Sequence, residues 1–190
     1  MKYEIIRSGR KTLGLKVTED GQVEVRAPLR CPKREIDAFV EAYSGWIEER
    51  LKQARELKSR AEAEGALTGR DIAALAASMK KALPEKLDRF SSILNVGYGR
   101  VTVRKQKSKW GSCASNGNLN FNCLLMLAPD EVLDYVVVHE LCHIKHRDHS
   151  AAFWAEVARV LPDYKEKRAW LKKNGALLMA RMRAGELSGR

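Results

Sequence analysis

Two periodicities run along this chain. Near the start, apolar residues alternate with polar ones, the mark of a strand with one face covered. Thr12 to Val17 and Gln22 to Arg26 read this way, and Tyr3 to Arg7 reads as a short strand ahead of them. The two alternating segments flank Asp20-Gly21, a tight-turn dipeptide, which predicts a β-hairpin closed off by Ala27-Pro28. The period then lengthens. Pro32 sits at a helix start, and Ile36, Phe39, Val40, Tyr43, Trp46 and Ile47 follow at three-to-four spacing. Ser44-Gly45 predicts a break or joint. Residues 46–63 continue as a charged helix with acid–base pairs three or four apart. Gly65 to Gly69 is the best linker, so the expected division is an N-terminal hairpin and helical substructure over 1–65 and a second domain over 66–184.

The second part opens on a helical pattern over Asp71–Phe90, with Pro84 as a kink or restart. Turn residues at 95–99 precede a strand at Val101–Lys105. Ser115-Asn116-Gly117 is another turn, and Asn118–Leu124 alternates as a strand, its Asn118–Asn122 part read here as an edge strand. Pro129 opens the next helix, with Asp130 and Glu131 complementing its positive end. Ser150 caps a helix carrying Phe153, Trp154, Val157 and Val160, which ends at Leu161-Pro162. A last helix covers Tyr164 to about Met182, with Gly175 as a break, and residues 185–190 are expected to be a disordered tail. No internal repeat is visible. The predicted class is α+β.

Composition narrows the partners. Of 190 residues, 45% are hydrophobic and 31% charged, ordinary for a globular chain. No apolar run is long enough for a membrane span, and Met1–Glu4 opens no apolar leader. Cys31, Cys113, Cys123 and Cys142 form no C-x-x-C pair, so reduced thiols and a cytoplasmic location are expected. The net charge of +11 favours acidic partners, nonspecific nucleic acid or nucleotides among them. Arg104, Lys105, Lys107 and Lys109 form a local basic cluster ahead of Trp110.

The chemistry is concentrated in Val136–His149, which holds all four histidines. His139, Glu140 and His143 spell H-E-x-x-H. Residues four apart share a helix face, so His139 and His143 can offer imidazole nitrogens to one ion. Glu140, beside the first of them, can reach a water on that ion and act as its general base. Zinc bound catalytically needs a third protein ligand. His149, six residues past His143, is the first choice; His146 and Glu156 are the rivals. Cys142 points off the 139/143 face and reads as a small buried apolar residue.

Several stretches together carry a family resemblance. They are Lys107-Ser108-Lys109-Trp110-Gly111-Ser112-Cys113, Asn118-Leu119-Asn120, Leu127-Ala128-Pro129, Tyr135–His143, His149-Ser150 with Phe153-Trp154, and Pro162-Asp163-Tyr164. This combination resembles the YgjP-like (DUF45) metallopeptidases, which are related to the SprT-like zinc proteases. The resemblance runs from about residue 100 to 175 and, more weakly, through the N-terminal hairpin. It implies a minigluzincin-type, zincin-like core: a small twisted sheet beside an H-E-x-x-H helix, followed by further helices. It also implies His139, His143 and His149 at metal-binding positions and Glu140 as the catalytic glutamate. Family members often carry additional strand-forming sequence where residues 60–75 read here as helix or linker.

The expected activity is zinc-dependent peptide hydrolysis of a protein or peptide substrate. Trp110 reads as core packing or a site wall, and Asn118 and Asn120 as part of a strand that pairs with an extended substrate. Two other readings fit the same residues. One is a metal-dependent nucleotide phosphohydrolase, favoured by the basic charge and disfavoured by the shortage of carboxylates for magnesium. The other is a non-catalytic zinc or nucleic-acid-binding module, which would not need Glu140.

Overall fold

The computed structural model describes residues 1–18 and 20–188 and divides into two compact units, Met1–Glu64 and Gly65–Arg190. The first unit is built on β1 (Glu4–Ser8), β2 (Gly14–Val17) and β3 (Val23–Pro28). β3 is central, antiparallel to β2 and parallel to β1. Its alternation decides the packing: Val23, Val25 and Ala27 are buried, and Ile36 and Val40 of α1 (Lys33–Ala42) and Ile47 of α2 (Ser44–Ala63) join them in one cluster. Pro32 precedes α1 in an extended conformation, and Tyr43 separates the two helices where Ser44-Gly45 predicted a joint.

The second unit starts with α3 (Gly69–Leu94). The Thr68 side chain accepts from Asp71 N, and the Asp71 carboxylate accepts from Thr68 N at 2.8 Å, so two free helix-end amides are satisfied reciprocally. Pro84 lies within this continuous helix, and Asn95, at φ 51°, ends it in the left-handed conformation. A second three-stranded sheet follows, made of β4 (Val101–Arg104), β5 (Gly111–Cys113) and β6 (Leu119–Asn122). The expected edge strand is in fact the centre: the order is β4-β6-β5, with β6 parallel to β4 and antiparallel to β5. β5 was not expected at all, because Gly-Ser-Cys has little strand propensity. Beyond Asn122 the predicted strand turns into a short 3-10 helix (Cys123–Leu127), started by Asn122 Oδ1 accepting from Leu124 N.

Through the middle of this unit runs α4 (Asp130–Lys145). Val132, Leu133, Tyr135, Val136, Val137, Val138, Leu141 and Cys142 are all buried, which is the composition of a helix enclosed over most of its surface. α5 (Ala151–Val160) begins at Ser150, whose hydroxyl accepts from Phe153 N. α6 (Tyr164–Ser188) passes straight through Gly175 and beyond residue 182. Gly175 is a packing position, not a break: a Cβ there would lie 2.8 Å from Trp110 Cζ2. The expected disordered tail is helix as far as Ser188, held by Lys105 and Lys107 pairing with Glu186; residues 189–190 lie outside the described residues. The class is α+β, as expected.

Candidate metal centre

The helical spacing of H-E-x-x-H places His139 and His143 on one face of α4, and the segment 146–150 turns the chain back so that His149 joins them. One potential ligand atom from each imidazole falls within 4.8 Å of the others. His139 Nε2 and His149 Nε2 are 3.2 Å apart. His139 Nδ1 is enclosed without a partner, so Nε2 is the only His139 nitrogen turned to another polar group. His143 Nδ1 lies 2.9 Å from the His146 carbonyl. A carbonyl only accepts, so Nδ1 carries the proton and Nε2 keeps its lone pair.

Burial, reinforced by the charges of the neighbouring histidines, pushes the His139 pKa down to about 3. His143 is also lowered, again first by burial. Neutral imidazoles with converging lone pairs are a donor set for a cation, and nitrogen donors in this number suit zinc. Aromatic rings fix the planes. Phe153 stacks on His143 with centroids 4.6 Å apart, and Trp154 stacks on His149 at 5.6 Å. Behind Trp154, Tyr164 stacks at 5.2 Å and the Arg168 guanidinium lies 4.8 Å from the ring centre.

Glu140 is one of two buried polar or charged side chains among the described residues, only 5% exposed. Burial pushes its pKa up to about 8, partly opposed by the Lys109 charge. It lies against the backbone of β5 where there is no side chain: a Cβ on Gly111 would stand 2.6 Å from Glu140 Oε1 and 2.8 Å from Cδ. Sequence reasoning missed this use of Gly111. It also missed the other buried polar residue, Asn122. Asn122 Nδ2 donates to the Gln106 and Lys109 carbonyls, each at 2.9 Å, and so shapes the loop leading into β5. The third Asn in Asn118-Leu119-Asn120-Phe121-Asn122 was the available signal.

The rival ligands stand outside this three-histidine group. Glu156 pairs with Lys145 at 3.0 Å and Arg159 at 3.2 Å, and hydrogen bonds from these two hold its pKa down to about 2. His146 contributes its carbonyl. Cys142 is buried, its thiol pushed up to about 12 by desolvation, and so stays protonated. The other site candidates are tied into the scaffold. Trp110 packs against α6 at Gly175. Asn118 Oδ1 accepts from Arg100 N at 2.8 Å, and Asn120 Nδ2 donates to Ser112 Oγ at 3.2 Å. Strand alternation turns Ser112 and Asn120 to the face opposite Gly111 and Phe121. Of the basic cluster, Lys105 and Lys107 are paired with Glu186.

A family model described as "YgjP-like, metallopeptidase domain" matches residues 11–75 and 71–174. The chain belongs to the YgjP-like family. Membership makes it a hydrolase of the metallopeptidase kind, acting on protein or peptide substrates. Among solved structures, the metallopeptidase zymogen of Pyrococcus abyssi abylysin is 26% identical over 47% of this chain and 91% of that one, with a TM-score of 0.43. The metallopeptidase zymogen of Methanocaldococcus jannaschii jannalysin is 20% identical over 47% of this chain and 93% of that one, also with a TM-score of 0.43. Comparison with curated proteins gave no match. No helix among the described residues of this YgjP-like chain is long and apolar enough to cross a membrane.

Proposed function

We propose that this YgjP-like chain is a zinc peptidase in which His139, His143 and His149 hold the ion and Glu140 is the general base. The observation that carries the proposal is the convergence of three imidazole nitrogens, one of them on His139, whose chain neighbour Glu140 is an enclosed acid. Zinc held there supplies Lewis acidity, polarising the scissile carbonyl and lowering the pKa of water toward neutrality. Glu140 accepts the proton of the attacking water and hands it to the departing amine.

The substrate backbone adds to the free edge of β5. Trp110 and Ala114 exchange hydrogen bonds with Asn122 and Asn118 of the β6 side. The intervening residues of an antiparallel strand, Gly111 and Cys113, therefore point their N–H and C=O groups away from β6. An extended peptide pairing with them lies alongside Glu140. In this reading Trp110, Asn118 and Asn120 serve the substrate by holding β5 in place.

Zinc stoichiometry and peptide hydrolysis, measured on parent and variants, test the proposal. Glu140→Gln keeps zinc and loses hydrolysis on the order of 100-fold or more, the scale for a positioned base. Alanine at His139, His143 or His149 loses the metal, and alanine at His146 keeps it. Equal hydrolysis by Glu140→Gln and parent would remove the base; metal loss confined to His146→Ala would remove the ligand set.

A further inference from the structure

We infer that Arg147 is a positioning residue for His149, clamping the segment that carries the third ligand to the turn after β5. The inference rests on the proposed ligand set. His139 and His143 ride on a mostly buried helix, whereas His149 is exposed and sits between α4 and α5, outside any regular element. Within residues 146–150 the ties are short-range: His146 N donates back to Cys142 O at 2.9 Å, and Ser150 N donates to Asp148 Oδ1 at 3.2 Å. Such bonds shape a turn without fixing where it stands.

Arg147 supplies the distant tie. Its Nη1 donates to Ala114 O at 3.0 Å and its Nη2 to Ser115 O at 2.9 Å. Two nitrogens of one planar fork on two consecutive carbonyls set both distance and orientation. Those carbonyls begin the turn that leaves β5, the strand whose Gly111 lies against Glu140. One side chain thus ties the third ligand's segment to the same strand that borders the proposed base. Without it the segment loses its restraint toward the sheet, and binding metal through His149 must first fix that segment.

The test is Zn2+ affinity, measured by competition with a chromogenic chelator on metal-stripped protein. Parent, Arg147→Ala, Arg147→Lys, His149→Ala and the double variant Arg147→Ala/His149→Ala are compared. Arg147→Ala is expected to bind Zn2+ about 10-fold or more weaker, the scale for residues supporting a ligand. Arg147→Lys recovers part of the loss, because one ammonium cannot reproduce the fork. The double variant binds as His149→Ala does, because Arg147 acts through that ligand. Parent affinity in Arg147→Ala overturns the inference, and so do losses that add in the double variant, which mark a general scaffold role. A parent that binds no Zn2+, or a His149→Ala variant that binds as tightly as parent, overturns the ligand set itself and is told apart by that. Far-ultraviolet circular dichroism of the metal-free variants checks folding. Should Arg147→Ala not fold, the same comparisons are made with Arg147→Lys, alone and combined with His149→Ala.

Discussion

Residues 4–42 and 101–145 make the same moves in the same order. Each has a strand, a hairpin of two strands whose second is the sheet's centre, and then an α-helix preceded by an extended proline, Pro32 in one and, after the short 3-10 helix, Pro129 in the other. The hairpin turns share their hydrogen bonds. Thr18 N donates to Gln22 O and Gly21 N to Thr18 O; Ala114 N donates to Asn118 O and Gly117 N to Ala114 O. The glycines have φ of 76° and 78°, a region open to them and costly for other residues. Even the registers correspond: Leu15 pairs with Val25 where Gly111 pairs with Phe121. Yet only the second stretch builds a site. Leu15 packs into a core of hydrocarbon. Gly111 presents no side chain, and the space is taken by the Glu140 carboxylate. Both buried polar or charged side chains among the described residues, Asn122 and Glu140, belong to the second stretch. The shared topology places a strand beside a helix; a single missing side chain decides whether the gap between them holds carbon or chemistry.

The sharpest way to break this comparison is Gly111→Ala. The added Cβ displaces the Glu140 carboxylate, and a shift near 1 Å in a catalytic group costs on the order of 100-fold in rate. Zinc content should stay at the parent level, since no ligand is touched. Unchanged kcat/KM in this variant would mean that the Leu15–Gly111 difference is incidental.

Asn122→Ala comes next. It removes both donations to the Gln106 and Lys109 carbonyls, and about 2 kcal/mol of unfolding stability should go with them. The matching residue of the first stretch, Arg26, is 54% exposed and pairs only distantly with Glu24, so Arg26→Ala should stay within about 0.5 kcal/mol. Denaturant titration of the two variants measures the contrast, and equal effects would erase it.

A smaller loss than that of Asn122→Ala is expected from Leu15→Ala. Deleting a half-buried leucine costs about 1.5 kcal/mol of stability. Hydrolysis per folded molecule should not change. A fall in kcat for the folded fraction would show that the hydrocarbon stretch also serves the chemistry.

What could be read from the chain beforehand was local. The hairpin around Asp20-Gly21, the turn at Asn116-Gly117 and the shared helix face of His139 and His143 each depend on neighbours a few positions apart. The correspondence of the two stretches was hidden because it lies in strand order and register, not in side chains: Leu15 and Gly111 share a place and nothing else. β6 read as an edge because its parallel partner β4 is joined to it through another strand, and parallel pairing leaves no turn dipeptide to find. The helical end of α6 was missed for a similar reason. Glu186 meets Lys105 across 81 positions and Arg181 meets Gly65 across 116, separations no window of periodicity spans. Gly175 invited a break only while Trp110 was absent from the picture.

The closing contacts of α6 carry a consequence for how this second unit can be rearranged. Leu67 N donates to Arg181 O at 3.0 Å, Arg181 Nε donates to Gly65 O at 2.8 Å, and Gly185 lies so close to Leu67 that a Cβ would meet its carbonyl at 1.8 Å. Residues 65–67 and 181–185, close to the two ends of what is described of this unit, are therefore neighbours in space. A polypeptide with adjoining ends can be spliced whole into a surface loop of another protein, or its ends joined and its chain reopened elsewhere, without stretching the scaffold. The histidine cluster, carried on α4 and the segment that follows it, would travel with it as a module.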